Sequence, residues 1–203
     1  MEPVITDKNT YIAPFVNAEI PQYLVIEDDF PNGRPPLEKA GVYLTTRETV
    51  NKAETMKVTT CLNPLHTGLA VYGCLLGYTT IWEEMKDSEL SNLVNKIAQE
   101  GMKVVINPEI INPDEFVKEV INDRLPNPYI PDAPQRIATD TSQKIPVRYG
   151  ETIKSYIKSA DLDPSQLNAI PMVIAGWLRY LLAVDDNGNE FTPSSDPMLE
   201  TMQ

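Results

Sequence analysis

A chain of 203 residues with 42% apolar and 23% charged side chains has the size and balance needed to build a packed core. Its formal net charge of −12, with no clustered Lys or Arg, excludes the electrostatic footprint of a nucleic-acid binder and of a polybasic membrane patch. Two cysteines (Cys61, Cys74) and one histidine (His66) do not make a disulfide framework or a zinc site, residues 1–11 show neither the basic nor the apolar region of a signal peptide, and no apolar run approaches roughly 20 residues. A cytoplasmic setting with reduced thiols, no metal and no membrane partner is therefore expected.

In chain order, residues 22–27 (QYLVIE) predict a buried strand, 31–36 (PNGRPP) a turn and 40–44 (AGVYL) a second short strand. Two strands cannot bury both faces of a sheet, so this part calls for further partners, and its open edge at 23–27 favours self-association. From Arg47 onward the pattern is helical. The apolar stretch at 69–76 comes after an N-P-L-H opening at 63–66. Asp87-Ser88 opens a helix over 89–100 with Gly101 as its stop, and Asn112-Pro113-Asp114-Glu115 is a further N-cap with proline at the first helical position. Residues 125–134 (LPNPYIPDAP) predict a stiff, extended connector. Asp163-Pro164-Ser165-Gln166 opens a helix over 167–184, within which Pro171 either kinks the chain or resets the start. The tail 185–203 is polar, with a turn at 187–189 and no packed finish. The fold class expected is mostly α, preceded by a short β-containing segment.

Two groups of residues could carry chemistry. Lys57, Asn63 and His66 lie within ten residues of one another, with His66 in the first turn of a helix. There the positive end of the helix dipole disfavours its protonated form. A neutral imidazole and the Asn63 amide could both donate to one substrate oxygen while Lys57 exchanges a proton with it. The alternative is that Asn63 caps, Pro64 initiates and His66 fills a position. The second group is Arg136, Asp140 and Lys144, which share a face if helical. They form either surface ion pairs of a few tenths of a kcal/mol each or a cationic clamp for a hydroxylated or carboxylated ligand. No G-x-G-x-x-G, G-x-x-x-x-G-K or G-x-S-x-G motif occurs.

Four stretches resemble the polyol-specific long-chain dehydrogenases, the mannitol dehydrogenase and fructuronate reductase family. These are VIEDDFPNGRP at 25–35 with EKAGV at 38–42, Lys57 through His66, Arg136 through Arg148 with its D-x-S-x-K-I-P-x-R core, and AGWLRYL at 175–181. The resemblance implies residues 1–46 as a remnant of a Rossmann-like nucleotide-binding domain. It implies residues 47–203 as a helical substrate domain, truncated at its end. It also implies a zinc-independent oxidoreductase that moves a hydride between NAD (or NADP), held mainly by a domain outside this chain, and a sugar-derived ketone or alcohol. By the same resemblance Lys57 matches the general acid/base, Asn63 and His66 hold the reacting oxygen, and Arg136 and Lys144 bind substrate. The substrate pair expected is D-fructuronate/D-mannonate, because Arg34 and Arg148 are spare cations for a carboxylate; the alternative is mannitol or another polyol. A non-catalytic helical module binding a sugar acid or a partner protein is the alternative from another class. Two departures from the family pattern matter. Lysine usually precedes the asparagine by one residue fewer, which here selects Val58, so either Lys57 reaches in across a loosened turn or the general acid is displaced. Pro64 also stands between Asn63 and His66, where it could split the helix.

Overall fold

The computed structural model describes residues 4–5, 11–12 and 23–203. Strands β1 (Val4–Ile5) and β2 (Tyr11–Ile12) pair antiparallel, while β3 (Val25–Glu27) and β4 (Tyr43–Thr45) pair parallel, Val25 opposite Tyr43. Residue 22 of the first expected strand lies outside the described residues. Strand β3 itself is half-buried rather than buried, and Leu24 just before it is 56% exposed. The second strand begins at Tyr43 instead of residue 40. Leu37–Ala40 wind into a 3-10 turn, and Gly41, at φ 83°, takes a left-handed conformation that only then releases the chain into extension.

Helix α1 (Arg47–Met56) is capped by Thr46, whose hydroxyl accepts from the Thr49 N–H. It runs unbroken into a π turn, Lys57–Cys61, closed by Leu62 N–H donating to Lys57 C=O at 3.2 Å. Leu62 (φ −134°, ψ −60°) then breaks the axis and α2 (Asn63–Leu76) begins. This helix is buried almost all round, which is why its apolar residues show so little periodicity. Around it pack α3 (Ile81–Glu84), α4 (Ser88–Met102), α6 (Pro134–Ile137) and α9 (Ala169–Leu181). Leu65, Leu69 and Val71 from α2, Val94 and Ile97 from α4, and Ile170, Val173 and Tyr180 from α9 make the centre of the core. The remaining elements are α5 (Pro113–Glu119) with a π turn at Val120–Arg124, then α7 (Thr141–Ile145) with a π turn at Pro146–Gly150. After them come α8 (Glu151–Lys158) and α10 (Leu199–Met202). The mostly α class is the one observed. No helix among the described residues is long and apolar enough to cross a membrane.

Several boundaries differ from expectation for reasons visible in the packing. Asp87 and Asn112 cap α4 and α5 as expected, each side-chain oxygen taking two backbone N–H groups. Gly101 does not stop α4; it lies inside the last turn, against Thr60 of the first π turn. The Asp163-Pro164 opening starts only a 3-10 turn, and α9 begins afresh at Ala169 with Pro171 in its first turn, where no intrahelical N–H is needed. The orphaned N–H groups of Asn168, Ala169 and Ile170 all donate to the Glu100 carboxylate of α4, at 2.7, 2.8 and 2.9 Å. The tail has a packed finish after all. Ser194 donates to Gln135 C=O, and Asp196 accepts from the Ser142 N–H and the Thr141 hydroxyl, tying residues 194–196 to α6 and α7.

Candidate functional site

The first part of the site is a cavity of about 390 Å³ between β3 and the end of α1. Tyr23, Leu24 and Val25 line one side; Val50, Ala53, Glu54, Lys57, Val58 and Asn63 line the other. Lys57 and Asn63 are therefore on one cavity although the helix axis breaks between them. An i→i+5 turn takes up one residue more than an i→i+4 turn, and the π turn opens at Lys57 itself. The Lys57 ammonium stands 5.9 Å from the centroid of the Tyr23 ring, which is fixed by an edge contact with Phe116 and a bond to Ala53 C=O. Val58 lines the same cavity but carries no titratable group. Asn63 does not cap: Leu62 is the N-cap residue of α2, and no side chain bonds there.

His66, one turn further along α2, is buried and does not line that cavity. Its Nε2 lies 3.1 Å from Asp132 Oδ2 and 3.1 Å from Arg124 Nη1. One ring nitrogen cannot both donate to the carboxylate and accept from the guanidinium. Placing the proton on Nε2 gives a hydrogen bond to Asp132 and lets Arg124 donate to the same Oδ2 at 3.4 Å; leaving it bare would set a lone pair against a carboxylate oxygen. The ring's Nδ1 is then an acceptor. Burial, with the guanidiniums of Arg124 and Arg148, holds the imidazole below its ordinary pKa despite Asp132, so the ring is neutral near pH 7. Asp132 itself is held down at about 2, chiefly by the His66 hydrogen bond and further by Arg124 and Arg136. Arg136 donates to its second oxygen.

The second expected group is not one helix face. Asp140 adopts φ 54°, ψ 42°, which separates α6 from α7, so Arg136, Asp140 and Lys144 do not align. Arg136 pairs with Asp132, and Lys144 donates to Ile137 C=O at 2.9 Å. Burial and the neighbouring Arg148 push the Lys144 ammonium below its usual range. Arg148, on the third π turn, donates to Thr67 Oγ1 at 2.5 Å and to Asn63 C=O at 3.5 Å, joining this segment to the first turn of α2. The adjacent Tyr149, fully buried, donates to Pro64 C=O at 2.5 Å. Arg34, by contrast, is not a spare cation: it forks onto Asp28 and also pairs with Glu38. Cys61 and Cys74 are both free thiols, each pushed up to about 12 by burial.

Residues 49–203 match the family described as mannitol dehydrogenase C-terminal domain. The chain belongs to that family. Across its whole length it is 65% identical to a D-mannonate oxidoreductase of Thermotoga maritima, of which it spans 38%. It is 35% identical over 88% of its length to a mannitol 2-dehydrogenase of Aspergillus niger, spanning 36% of that protein. Among solved structures, a Pseudomonas fluorescens mannitol 2-dehydrogenase in ternary complex with NAD and D-mannitol superposes with a TM-score of 0.74 at 31% identity, covering 88% of this chain and 35% of that one. A D-sorbitol dehydrogenase in substrate-free form gives 0.75 at 32% identity, covering 86% and 34%. The chain thus spans little more than a third of the proteins it matches.

Within this mannitol dehydrogenase C-terminal domain, sequence reasoning missed Arg124 and Asp132. Asp132 had one signal: it is the only charged residue in the proline-rich stretch 125–134, an ionisable group placed where the chain is stiff. That stretch is not simply extended; it turns at Asn127–Ile130 and brings the Asp132 carboxylate inward while Asp132 C=O accepts from Ile81 N–H. Arg124 gave no signal, because it reaches His66 only through the widened turn that ends α5.

Proposed function

We propose that this chain is the substrate-binding part of a zinc-independent, NAD-dependent dehydrogenase (NADP being the alternative) acting on the D-mannonate/D-fructuronate pair. The supporting observation is the convergence of Lys57 and Asn63 on one cavity, one helical turn from a neutral His66. The 65% identity to a D-mannonate oxidoreductase favours the sugar acid over mannitol, for which the relatives stand at about half that identity.

In this reading Lys57 takes the hydroxyl proton of the substrate as the alcohol becomes a ketone, and returns it in reduction. The Asn63 amide donates to the reacting oxygen, whose developing negative charge a fixed donor stabilises without reorganisation. His66, with Asp132 on its Nε2, holds a substrate hydroxyl through its bare Nδ1. Arg136 and Lys144 bind the rest of the substrate. A bound nicotinamide would supply the acceptor for the hydride that leaves the carbon. The cavity suits that end of the cofactor, with Val25, Val50 and Val58 as apolar walls beside one ammonium and one amide. The remaining cofactor contacts are assigned to another domain, of which residues 1–46 are the edge, with 47–203 as the substrate domain and the cytoplasm as the setting.

Lys57→Ala in the complete enzyme is expected to lower turnover of D-mannonate by about 10²–10⁴-fold while leaving NADH affinity, followed by fluorescence titration, nearly unchanged. Near-normal rates would remove Lys57 from the acid/base role. Turnover of fructose without turnover of fructuronate would overturn the substrate choice.

A further inference from the structure

We infer that Arg148 is the residue that receives the substrate's carboxylate and so makes the site select a sugar acid over a neutral polyol. This rests on the reading just given and sharpens it.

The guanidiniums around the site differ in what they already hold. The charges of Arg124 and Arg136 are already paired with the Asp132 carboxylate, which leaves Arg136 hydrogen bonds for the neutral part of a substrate, and Arg34 is held by Asp28 and Glu38. Arg148 has no carboxylate within reach among the described residues. Its two contacts, Thr67 Oγ1 and Asn63 C=O, are neutral, and both are made by Nη1 alone. The edge formed by Nε and Nη2 has no partner among the described residues, and that edge is the fork that binds a carboxylate through two parallel hydrogen bonds.

The location of Arg148 adds to this. It is half-buried, so its charge is partly stripped of water, and the ammonium of Lys144 close by adds repulsion. A charge in that position gains from an anion what a solvated surface arginine would not. Its anchor points belong to residues 63 and 67, which bracket His66 on α2, so the guanidinium stands against the turn that carries Asn63 and His66. Tyr149, fixed to Pro64 C=O, prevents the π turn that carries Arg148 from swinging away. The Nη1 bonds orient the side chain in advance, which lowers the ordering cost of binding.

The test is calorimetric titration of the chain with sodium D-mannonate and with D-mannitol, on the wild type, Arg148→Gln, Arg148→Lys and Arg34→Gln, each first checked by thermal melting. The wild type is expected to prefer mannonate by about 10- to 100-fold, the range of a charge-assisted bidentate pair. Arg148→Gln should abolish that preference while mannitol affinity stays within about twofold. Arg148→Lys, which keeps the charge but not the fork, should retain part of the preference, and Arg34→Gln all of it. A mannonate preference that survives Arg148→Gln overturns the inference and leaves the proposed function standing. Equal loss of both ligands in the Gln and Lys variants marks a packing role for Arg148 and also overturns it. A wild type that binds mannonate no better than mannitol brings down the sugar-acid reading itself, before any variant is compared.

Discussion

Asp132 and Glu84 are both buried acids packed beside α2, and they end in opposite charge states. Asp132 faces the N-terminal turn of that helix, where His66, Arg124 and Arg136 converge on its two oxygens and hold its pKa at about 2. Glu84 is completely buried further along the same helix, against Gly73, and neither of its oxygens has a hydrogen-bond partner among the described residues. Burial alone drives its pKa up to about 9. Desolvation acts on both, so the difference lies in what surrounds them: among the described residues, three donors at the candidate site and none at the other position. Of these two acids, only the one at the candidate site keeps its charge.

The largest expected effect comes from removing the compensated acid. Asp132→Ala deprives His66 and Arg136 of their shared acceptor and should cost about 3–5 kcal/mol in urea unfolding at pH 7; a loss below about 1 kcal/mol would mean the cluster behaves like a surface pair. In the wild type this contribution is present above the ordinary aspartate pKa and is lost as pH falls through about 2. His66 has the same sign, since its folded pKa is also depressed and acid must charge a buried ring. Glu84 has the opposite sign. Its folded pKa is raised, so its contribution is complete below its unfolded value of 4.5 and declines as pH rises toward about 9. The slope should be about 1.4 kcal/mol per pH unit. Glu84→Gln should flatten stability between pH 5 and 8, measured by the same denaturant series; a wild type already flat across that window would show that Glu84 has found a partner. A smaller effect is expected from Gly73→Ala. A methyl group there would run into the Glu84 carboxyl and lie 2.8 Å from Pro134 Cγ, so overpacking should cost about 1–3 kcal/mol. A neutral result would show that the contact yields.

Much of the local structure is legible from the residues alone. Asp87 and Asn112 announce α4 and α5 because a cap is a short-range exchange between a side chain and the next two or three N–H groups. The start of α9 is not legible in this way, since its donors are satisfied by Glu100, 68 residues earlier in the chain. The same holds for α7, whose first turn is bonded to Asp196 from the tail. The candidate site divides along this line. Lys57, Asn63 and His66 are visible as chemistry in sequence, whereas Asp132 and Arg124 become visible only through contacts spanning 66 and 58 positions, between residues 132, 124 and 66.

The three π turns among the described residues, at Lys57–Cys61, Val120–Arg124 and Pro146–Gly150, share one property. Each contains a cation of the candidate site, Lys57, Arg124 or Arg148, and in each that cation reaches another element: Lys57 to Tyr23, Arg124 to His66 and Arg148 to Thr67. Helix propensity has no vocabulary for a widened turn, so the residues these turns redirect are misassigned by any fixed period.

The helical class, the main caps and the kinds of side chain available for proton exchange and oxygen binding are set by the amino-acid order itself, because they arise from composition and from interactions within a few residues. Folding alone settles which of those groups meet, which charge is already neutralised and which is left to receive a ligand. Arg34 and Arg148 are equally cationic as letters. Only the folded chain gives one of them two carboxylates and the other none among the described residues, because ionic pairing depends on separations of a few ångströms that sequence distance does not set.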